Sequence, residues 1–292
     1  MIRLDAATVL LQWAAGGLLF LWMTTRRREV GIGYGWLLRG IYLVMAVGSV
    51  VAGQALEPVL VRDVSAALVA VAAGLALAVS VVRRRAGVAG QRAQIERREA
   101  RVAAAVERTG IARRADRRDR PDPTVPEFPP ALDLLAPAIG VVGLVAAGLD
   151  AGSGADGVLA VVRTLAGAAF LGSASDAMLL GHWYLVQPGL ARGALLDLVR
   201  WVGLVWPVEV AALLWPTGMV SVLNGSVDDG WGGTLGWFWV ACAVTTIGLV
   251  VVTRAALRER AYSAVMAATG LLYLAILTAF GTDLVARAVL AS

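Results

Sequence analysis

Eight long hydrophobic stretches, separated by polar turns, constrain this chain more than any other feature. They cover residues 6–24, 36–53, 64–82, 131–149, 157–180, 194–215, 234–253 and 262–282. Each has about the 20 residues that an α-helix needs to cross a hydrocarbon core of ~30 Å. Because 59% of all residues are hydrophobic, a soluble fold would have too little polar surface to cover eight such helices. The pattern predicts an all-α, polytopic membrane protein with eight transmembrane helices.

The charges predict how these helices are oriented. All 26 cationic side chains are arginines, and threading the eight spans back and forth collects most of them on one face. That face receives Arg26, Arg27, Arg28, thirteen arginines between Arg83 and Arg120, Arg192, Arg254, Arg258 and Arg260. The other face receives only Arg3, Arg62 and Arg287. The positive-inside bias makes the arginine-rich face cytoplasmic and puts both termini outside.

Composition adds a source and a partner. The absence of lysine and the abundance of Ala, Val, Gly and Arg are typical of a GC-rich bacterial genome, so we expect the bacterial cytoplasmic membrane. The positive charge lies where anionic lipid headgroups are found, which favours the lipid bilayer as its partner over nucleic acid.

The longest polar stretch divides the chain into three parts. Residues 1–82 form a three-span bundle, residues 83–130 a cytoplasmic segment, and residues 131–292 a five-span bundle. Within the middle part, residues 91–118 are rich in good helix formers and predict a solvated helical arm. Five prolines between Pro121 and Pro130 then predict a stiff, extended linker. The arm is either a simple connector or a docking site for other membrane or cytoplasmic subunits, and the sequence leaves both open.

A weak internal similarity favours a parallel duplication of four spans plus four. Spans 1 and 5 run in the same direction, and residues 14–21 resemble residues 165–171 in their Gly/Ala-rich, aromatic pattern. Parallel repeats of this kind occur in transporter folds. Ala, Gly and Leu alone also produce such matches, so a single undivided bundle is the alternative.

Polar side chains near the cytoplasmic boundary form the first candidate site, because charged groups inside spans are costly and commonly functional. Its members are Asp176, Asp197, Arg200 and Arg39 inside the spans, followed by His182, Trp183 and Tyr184 in the turn after span 5. These types suit a quinone or a lipid headgroup, with a histidine or tyrosine donating to a carbonyl and a carboxylate relaying the proton. The alternative is an ordinary interfacial belt of aromatic and snorkelling residues.

A second candidate pair lies toward the outer face. Arg163 is about six residues into span 5 and Glu209 about six residues from the end of span 6. The depths match and a short turn joins the two spans, so we expect a structural ion pair. An ion or proton pathway is the alternative.

Missing residue types exclude several kinds of centre. His182 is the single histidine, which rules out bis-histidine haem ligation within the chain, although ligation of a haem by His182 alone stays open. No HExxH zinc motif occurs. No lysine is available for a Schiff base, and Cys242 is the only cysteine. We therefore expect no metal and no intrinsic cofactor, with quinone as the candidate small molecule, and leave open whether the protein is an enzyme.

Three functions fit these patterns. The first is a membrane subunit of an electron-transfer or energy-coupling assembly, such as a respiratory complex, with a quinone or lipid-headgroup pocket at the cytoplasmic leaflet. The second is a transporter or channel for a small solute or ion. The third is an enzyme acting on a lipid-linked substrate.

Overall fold

The computed structural model is built from long helices joined by short turns. It describes residues 4–88, 124–187, 190–216, 218–259 and 261–291, with isolated positions 95–96, 100 and 104. The helices are α1 (Ala6–Thr25), α2 (Ile32–Ala55), α3 (Leu60–Val82), α4 (Leu135–Asp150), α5 (Gly154–Val186), α6 (Gly193–Leu214), the short α7 (Met219–Leu223), α8 (Thr234–Ala256) and α9 (Tyr262–Leu290). Short 3₁₀ turns cover Arg84–Ala86 and Pro130–Leu134.

Seven of these helices are long and apolar enough to cross a membrane, namely α1 to α5, α8 and α9. The remaining predicted span corresponds to α6. It has 22 residues, and it carries the charged residues Asp197, Arg200 and Glu209 within them. Large apolar side chains such as Val44, Leu75 and Leu277 are more than half exposed. Apolar surface of this extent is typical of a lipid-facing protein. The all-α, multi-pass membrane class predicted from the sequence is confirmed.

Loops predicted to share the arginine-rich face do lie together, at what we call the arginine-rich end. Arg192, before α6, donates to the backbone carbonyls of Leu257 and Ala261 between α8 and α9, at 3.3 and 2.9 Å. Arg28, after α1, donates to Glu127 at 2.6 Å. The connections between α2 and α3, α4 and α5, and α6 and α8 lie at the opposite end. Which end faces the cytoplasm stays a prediction.

Two helices, α1 and α5, run parallel through the middle of the bundle and are the most deeply buried of the seven. Glycines let their backbones touch: a Cβ on Gly16 would lie 1.8 Å from the carbonyl oxygen of Ala168, and one on Gly172 would lie 2.2 Å from the Gly16 carbonyl carbon. Small residues at such crossings are characteristic of membrane helix packing. The contact joins the two predicted bundles into one core, and the 4+4 duplication stays a prediction.

The predicted helical arm lies almost wholly outside the described residues. The end of the proline-rich linker is described, and it packs against the arginine-rich end. The Arg83 guanidinium donates to the Glu127 carbonyl at 3.0 Å, and the Arg39 guanidinium lies 4.3 Å from the centre of the Phe128 ring. The linker therefore closes over the inner ends of α2 and α3 before α4 begins.

At the opposite end, one carboxylate organises the loop before α8. Asp229 accepts backbone N–H groups from Trp231, Gly233, Leu235 and Gly236 at 2.8 to 3.3 Å. Desolvation acts to raise the pKa of Asp229, but the four N–H donors outweigh it and hold that pKa below its ordinary value. Two of these donors belong to the first turn of α8, so Asp229 caps that helix.

Candidate functional site

A buried hydrogen-bonded network connects α1 to α9 in the half of the bundle away from the arginine-rich end. Arg287 donates through Nε to Asp283 Oδ2 at 2.9 Å and through Nη2 to Gln12 Oε1. Gln12 donates in turn to Asp283 Oδ1 at 3.3 Å. All three side chains are fully buried. The hydrophobic pattern does not predict this network, because the apolar stretch of span 8 ends at residue 282 and leaves Arg287 at the outer surface, whereas α9 continues to Leu290.

The network depends on a glycine of α5. A Cβ on Gly167 would lie 2.5 Å from Gln12 Nε2 and 2.6 Å from Asp283 Oδ1. Any larger residue would therefore push the amide and the carboxylate apart. Gly167 lets α5 pass close enough to enclose both groups, and it links the polar network to the α1–α5 crossing.

Glu209 of α6 lies within the electrostatic reach of this network, among Asp283, Arg287 and Arg163. It is fully buried, and neither of its carboxylate oxygens has a hydrogen-bond partner. Every other buried charged group in the described part of the chain has at least one hydrogen bond. A carboxyl group at this depth without a donor is the least satisfied group of the site.

The predicted Arg163–Glu209 salt bridge is wrong. Instead, Arg163 donates through Nε to the Ala212 carbonyl at 2.9 Å and through Nη2 to the Trp215 carbonyl at 3.4 Å. The last carbonyls of a helix lack intrahelical donors and carry its negative dipole end, so a buried arginine there is well placed. The two residues do lie close enough to interact electrostatically, but the guanidinium of Arg163 donates to the carbonyls at the end of α6 instead of to Glu209.

A small gap lies beside the network, on the side away from Asp283. A gap of about 10 Å³ is lined by Asp5, Thr8, Arg62, Thr164 and Arg287, among others. That volume is close to the minimum for a single water molecule. Arg287 thus borders the gap on one side and pairs with Asp283 on the other.

The gap is bordered by a second group of buried charges. Arg62 of α3 donates through Nε to Asp63 at 2.8 Å and through Nη1 to Asp5, which also caps the start of α1. Arg62 does lie at the end with few arginines, as predicted, but because α3 begins at Leu60 it is buried in the first turn of that helix rather than in the preceding loop. This cluster ties α1 and α3 together at the end opposite the arginine-rich end.

A second incompletely satisfied carboxylate lies deeper, on α5. Asp176 is fully buried; its Oδ1 accepts the Tyr42 hydroxyl and its Oδ2 has no partner. The Tyr34 hydroxyl lies 3.4 Å from the Asp176 backbone carbonyl. Asp176 is nine residues beyond Gly167, so roughly 14 Å of helix separates it from the Gln12–Asp283–Arg287 network. The two carboxyl sites therefore lie at different depths of one bundle.

The structure does not assemble the inner cluster predicted from the sequence as one pocket. Arg39 forms a buried, bidentate pair with Asp133 at 2.8 and 2.7 Å, away from Asp176. His182 lies on α5 rather than in a turn, because that helix continues to Val186, and its side chain is exposed. Its Nδ1 lies 3.0 Å from the Tyr273 hydroxyl of α9. Helical spacing explains the separation, since Asp176 and His182 point to different sides of α5.

The two aromatic residues of that cluster pack into the fold. The Trp183 ring fits against Gly33 and the Tyr34 ring, whose centre is 6.1 Å away. The Tyr184 hydroxyl donates to the Ala191 carbonyl and so closes the turn between α5 and α6. Both side chains therefore stabilise the arginine-rich end of the bundle.

Asp197 and Arg200 form a separate group with α1. Asp197 pairs with Arg27, and an Arg200 nitrogen lies 4.0 Å from the other Asp197 oxygen. They line a groove between α1 and α6, remote from Arg39 and His182. Of the seven residues predicted for the inner pocket, these two share this groove.

Among the residues that the structure describes, no three side chains of His, Cys, Asp or Glu lie close enough to hold a metal ion. His182 presents one imidazole on an exposed helix face. Ligation of a haem by this residue stays a prediction, as does quinone binding.

Comparison of the chain with protein-family models, curated proteins and solved structures finds no match. The fold and its apolar helices define a multi-pass helical membrane protein. Its particular activity has to be inferred from the chemistry of the buried groups.

Proposed function

We propose that this protein is a membrane transporter that carries protons across the bilayer, with Glu209 as the group that binds and releases the proton. The observation that carries this proposal is the lack of any hydrogen-bond donor to either Glu209 carboxylate oxygen. An unpaired charge inside a membrane costs several kcal/mol. Taking up a proton converts the carboxylate to a neutral acid and removes that cost. The protonation of Glu209 therefore depends on the groups around its carboxyl group.

Neighbouring groups give the proton a route from the end opposite the arginines. The gap beside Arg62 and Arg287 at that end has room for about one water molecule. Arg287 and Asp283 lie between the gap and Glu209, and the positive charge of Arg287 opposes the passage of free cations. Protons therefore reach Glu209 through an ordered polar path rather than an open pore.

Asp176 is the second proton-binding group in the proposed path. It lies closer to the arginine-rich end, and its Oδ2 is free to accept a proton. The Ser173 and Ser175 hydroxyls lie on the same stretch of α5 and are buried. Roughly 14 Å of α5 separates Asp176 from Gly167, the residue of α5 that touches the network beside Glu209. Transfer from Glu209 to Asp176 therefore requires intervening water or a shift of α5 against α1 at the glycine crossing. We place the arginine-rich end in the cytoplasm, as the positive-inside bias predicts.

A transporter is favoured over a quinone-binding electron-transfer subunit because of where the predicted pocket residues lie. Arg39 is occupied by Asp133, and His182 is on the α9 side of α5. Neither side chain therefore points into a shared site with Asp176. The unsatisfied carboxyl groups, by contrast, lie on helices that share the central core.

The test is proton flux into liposomes that contain the purified protein and an internal pH-sensitive dye. A potassium diffusion potential drives the flux. Wild-type protein should acidify the interior faster than empty liposomes, and Glu209→Gln should abolish that difference. Glu57→Gln removes an exposed carboxylate at the same end of the bundle and should leave the flux unchanged.

Folding is checked by size-exclusion profile and thermal unfolding, because glutamine matches glutamate in shape and removes a charge that has no partner. We expect Glu209→Gln to unfold at the wild-type temperature or above it. Full flux in well-folded Glu209→Gln would refute the proposal. Equal loss in Glu57→Gln would show that the effect is a general one of surface charge.

A further inference from the structure

A groove at the arginine-rich end, between α1 and α6, is independent of the proposed proton path. It has a volume of about 190 Å³. Its polar rim is formed by Arg26, Arg27, Asp197 and Arg200. Three guanidinium groups and one carboxylate leave a net charge of +2 in one small concave site, by counting these four side chains.

The arginines in the rim are held in different ways. Arg27 is paired with Asp197, whereas the Arg200 nitrogen is 4.0 Å from that carboxylate, beyond hydrogen-bond distance. The Arg26 guanidinium stacks over the Trp22 ring at 4.8 Å, which fixes its plane and leaves its edge open. Arg200 is 60% exposed. Two guanidinium edges are thus available to an incoming anion, and Asp197 holds the third arginine in place.

The groove continues downward as an apolar strip. Trp201, Leu204 and Val208 succeed one another along α6 at helical spacing, and all three are exposed large apolar residues. Met23 of α1 adds a partly buried apolar side chain on the facing wall. The strip runs from the arginine rim toward the middle of the bilayer, so it lies against acyl chains while the rim meets the headgroups.

We infer that this groove binds one anionic phospholipid, with its phosphate between Arg26 and Arg200 and an acyl chain along Trp201 and Leu204. Arginine recognises phosphate oxygens through two parallel N–H donors, which gives both strength and orientation. The joint presence of a cationic rim and an apolar strip makes this groove suited to a phospholipid rather than to a free anion. Basic pockets between membrane helices are a known way of binding anionic headgroups.

The experiment measures lipid binding to the purified full-length protein in detergent by native mass spectrometry. Phosphatidylglycerol is compared with phosphatidylcholine of the same chains and with inorganic phosphate. We expect phosphatidylglycerol to bind with one-to-one stoichiometry and phosphatidylcholine to bind much more weakly. Binding of phosphate alone with equal affinity would overturn the lipid assignment, since the apolar strip would then contribute nothing.

Matched variants separate the groove from the general surface charge. The double variant Arg26→Gln/Arg200→Gln loses two cations of the rim, and each lost charge-assisted contact should weaken binding about tenfold or more. The control Arg254→Gln/Arg258→Gln removes the same charge from the same end but outside the groove. It should retain wild-type affinity. Equal weakening in both double variants would show non-specific attraction and refute the site.

A third variant tests the sign of the effect without removing any arginine. Asp197→Asn deletes the one negative charge in the rim and releases Arg27 from its pair. Binding of phosphatidylglycerol should therefore become several-fold tighter, whereas phosphatidylcholine should be unaffected. Unchanged or weaker binding of phosphatidylglycerol in this variant would contradict the proposed position of the phosphate.

Discussion

The buried pair of Arg39 and Asp133 should be the most damaging single ion pair to break. Their side chains are 2% and 1% exposed, and two hydrogen bonds of 2.8 and 2.7 Å join them. Ser80 accepts a third bond from Arg39, and Thr25 donates to Asp133 at 3.0 Å. Replacing Asp133 by Asn would leave a guanidinium charge without its counter-ion in this enclosed position. Breaking a buried pair in this way costs about 3–5 kcal/mol.

The assay is reversible unfolding in mixed detergent micelles, compared with a matched exposed pair. Arg28 and Glu127 lie at the same end, with 45% and 19% of their side chains exposed. An exposed pair is worth about 0–1 kcal/mol, so Glu127→Gln should change the free energy of unfolding little. The double variant Arg39→Leu/Asp133→Leu should recover part of the loss, because it leaves no charge without a partner.

Two results would refute this reasoning. If Asp133→Asn destabilises no more than Glu127→Gln, then Arg39 is solvated by water or lipid headgroups and its burial has little energetic meaning. If the losses in Arg39→Leu and Asp133→Leu simply add in the double variant, the two residues are not coupled.

Three further predictions follow from the same packing. Gly167→Ala should lower the free energy of unfolding by about 1–3 kcal/mol, because its Cβ meets the polar network. Gly270→Ala has open space around the new Cβ, so in the same unfolding assay it should be neutral or stabilise the protein by about 0.5–1 kcal/mol. The Asp229 cap stabilises the start of α8 at pH values above the ordinary aspartate pKa, and this stability is lost as the pH falls through the lowered pKa of Asp229. Acidification should therefore speed amide exchange at the start of α8 by more than the change in the intrinsic exchange rate. Asp229→Asn should remove this pH dependence of the exchange. In intact cells, a cysteine at Asn224 should be labelled only from outside and one at Gly110 only from the cytoplasm; the reverse pattern would refute the predicted orientation.

The helices were predictable from sequence because their physical cause is local. Each apolar run of sufficient length has to be helical in a membrane, since every backbone group must find a partner within the segment. The ends of the helices were less predictable than the helices themselves, and two of these ends changed where a functional candidate or a charged side chain lies. Extending α5 to Val186 moved His182 from a turn to a helix face, and extending α9 to Leu290 buried Arg287.

The pairing of the charges could not be predicted because it depends on tertiary geometry. Arg39 meets Asp133, a residue 94 positions away on the 3₁₀ turn before α4. The Asp283–Arg287 pair, by contrast, has the i,i+4 spacing of a helical salt bridge, a signal present in the sequence that the early end of span 8 hid. Matched depth suggested that Arg163 and Glu209 would pair, but depth does not reveal that helix-end carbonyls are nearer.

The most direct test of the central claim is infrared difference spectroscopy of the protein in lipid, recorded as the pH is stepped across the range in which flux is measured. We predict a carboxylic-acid C=O stretching band whose intensity changes with pH. The Glu209 component of this band should be absent in Glu209→Gln. In Asp176→Asn the Glu209 component should persist, and only the component from Asp176 should be lost. Such a band assigns a titrating proton to Glu209. If no pH-dependent band is lost in Glu209→Gln, Glu209 binds and releases no proton, and the proposed transport mechanism is contradicted.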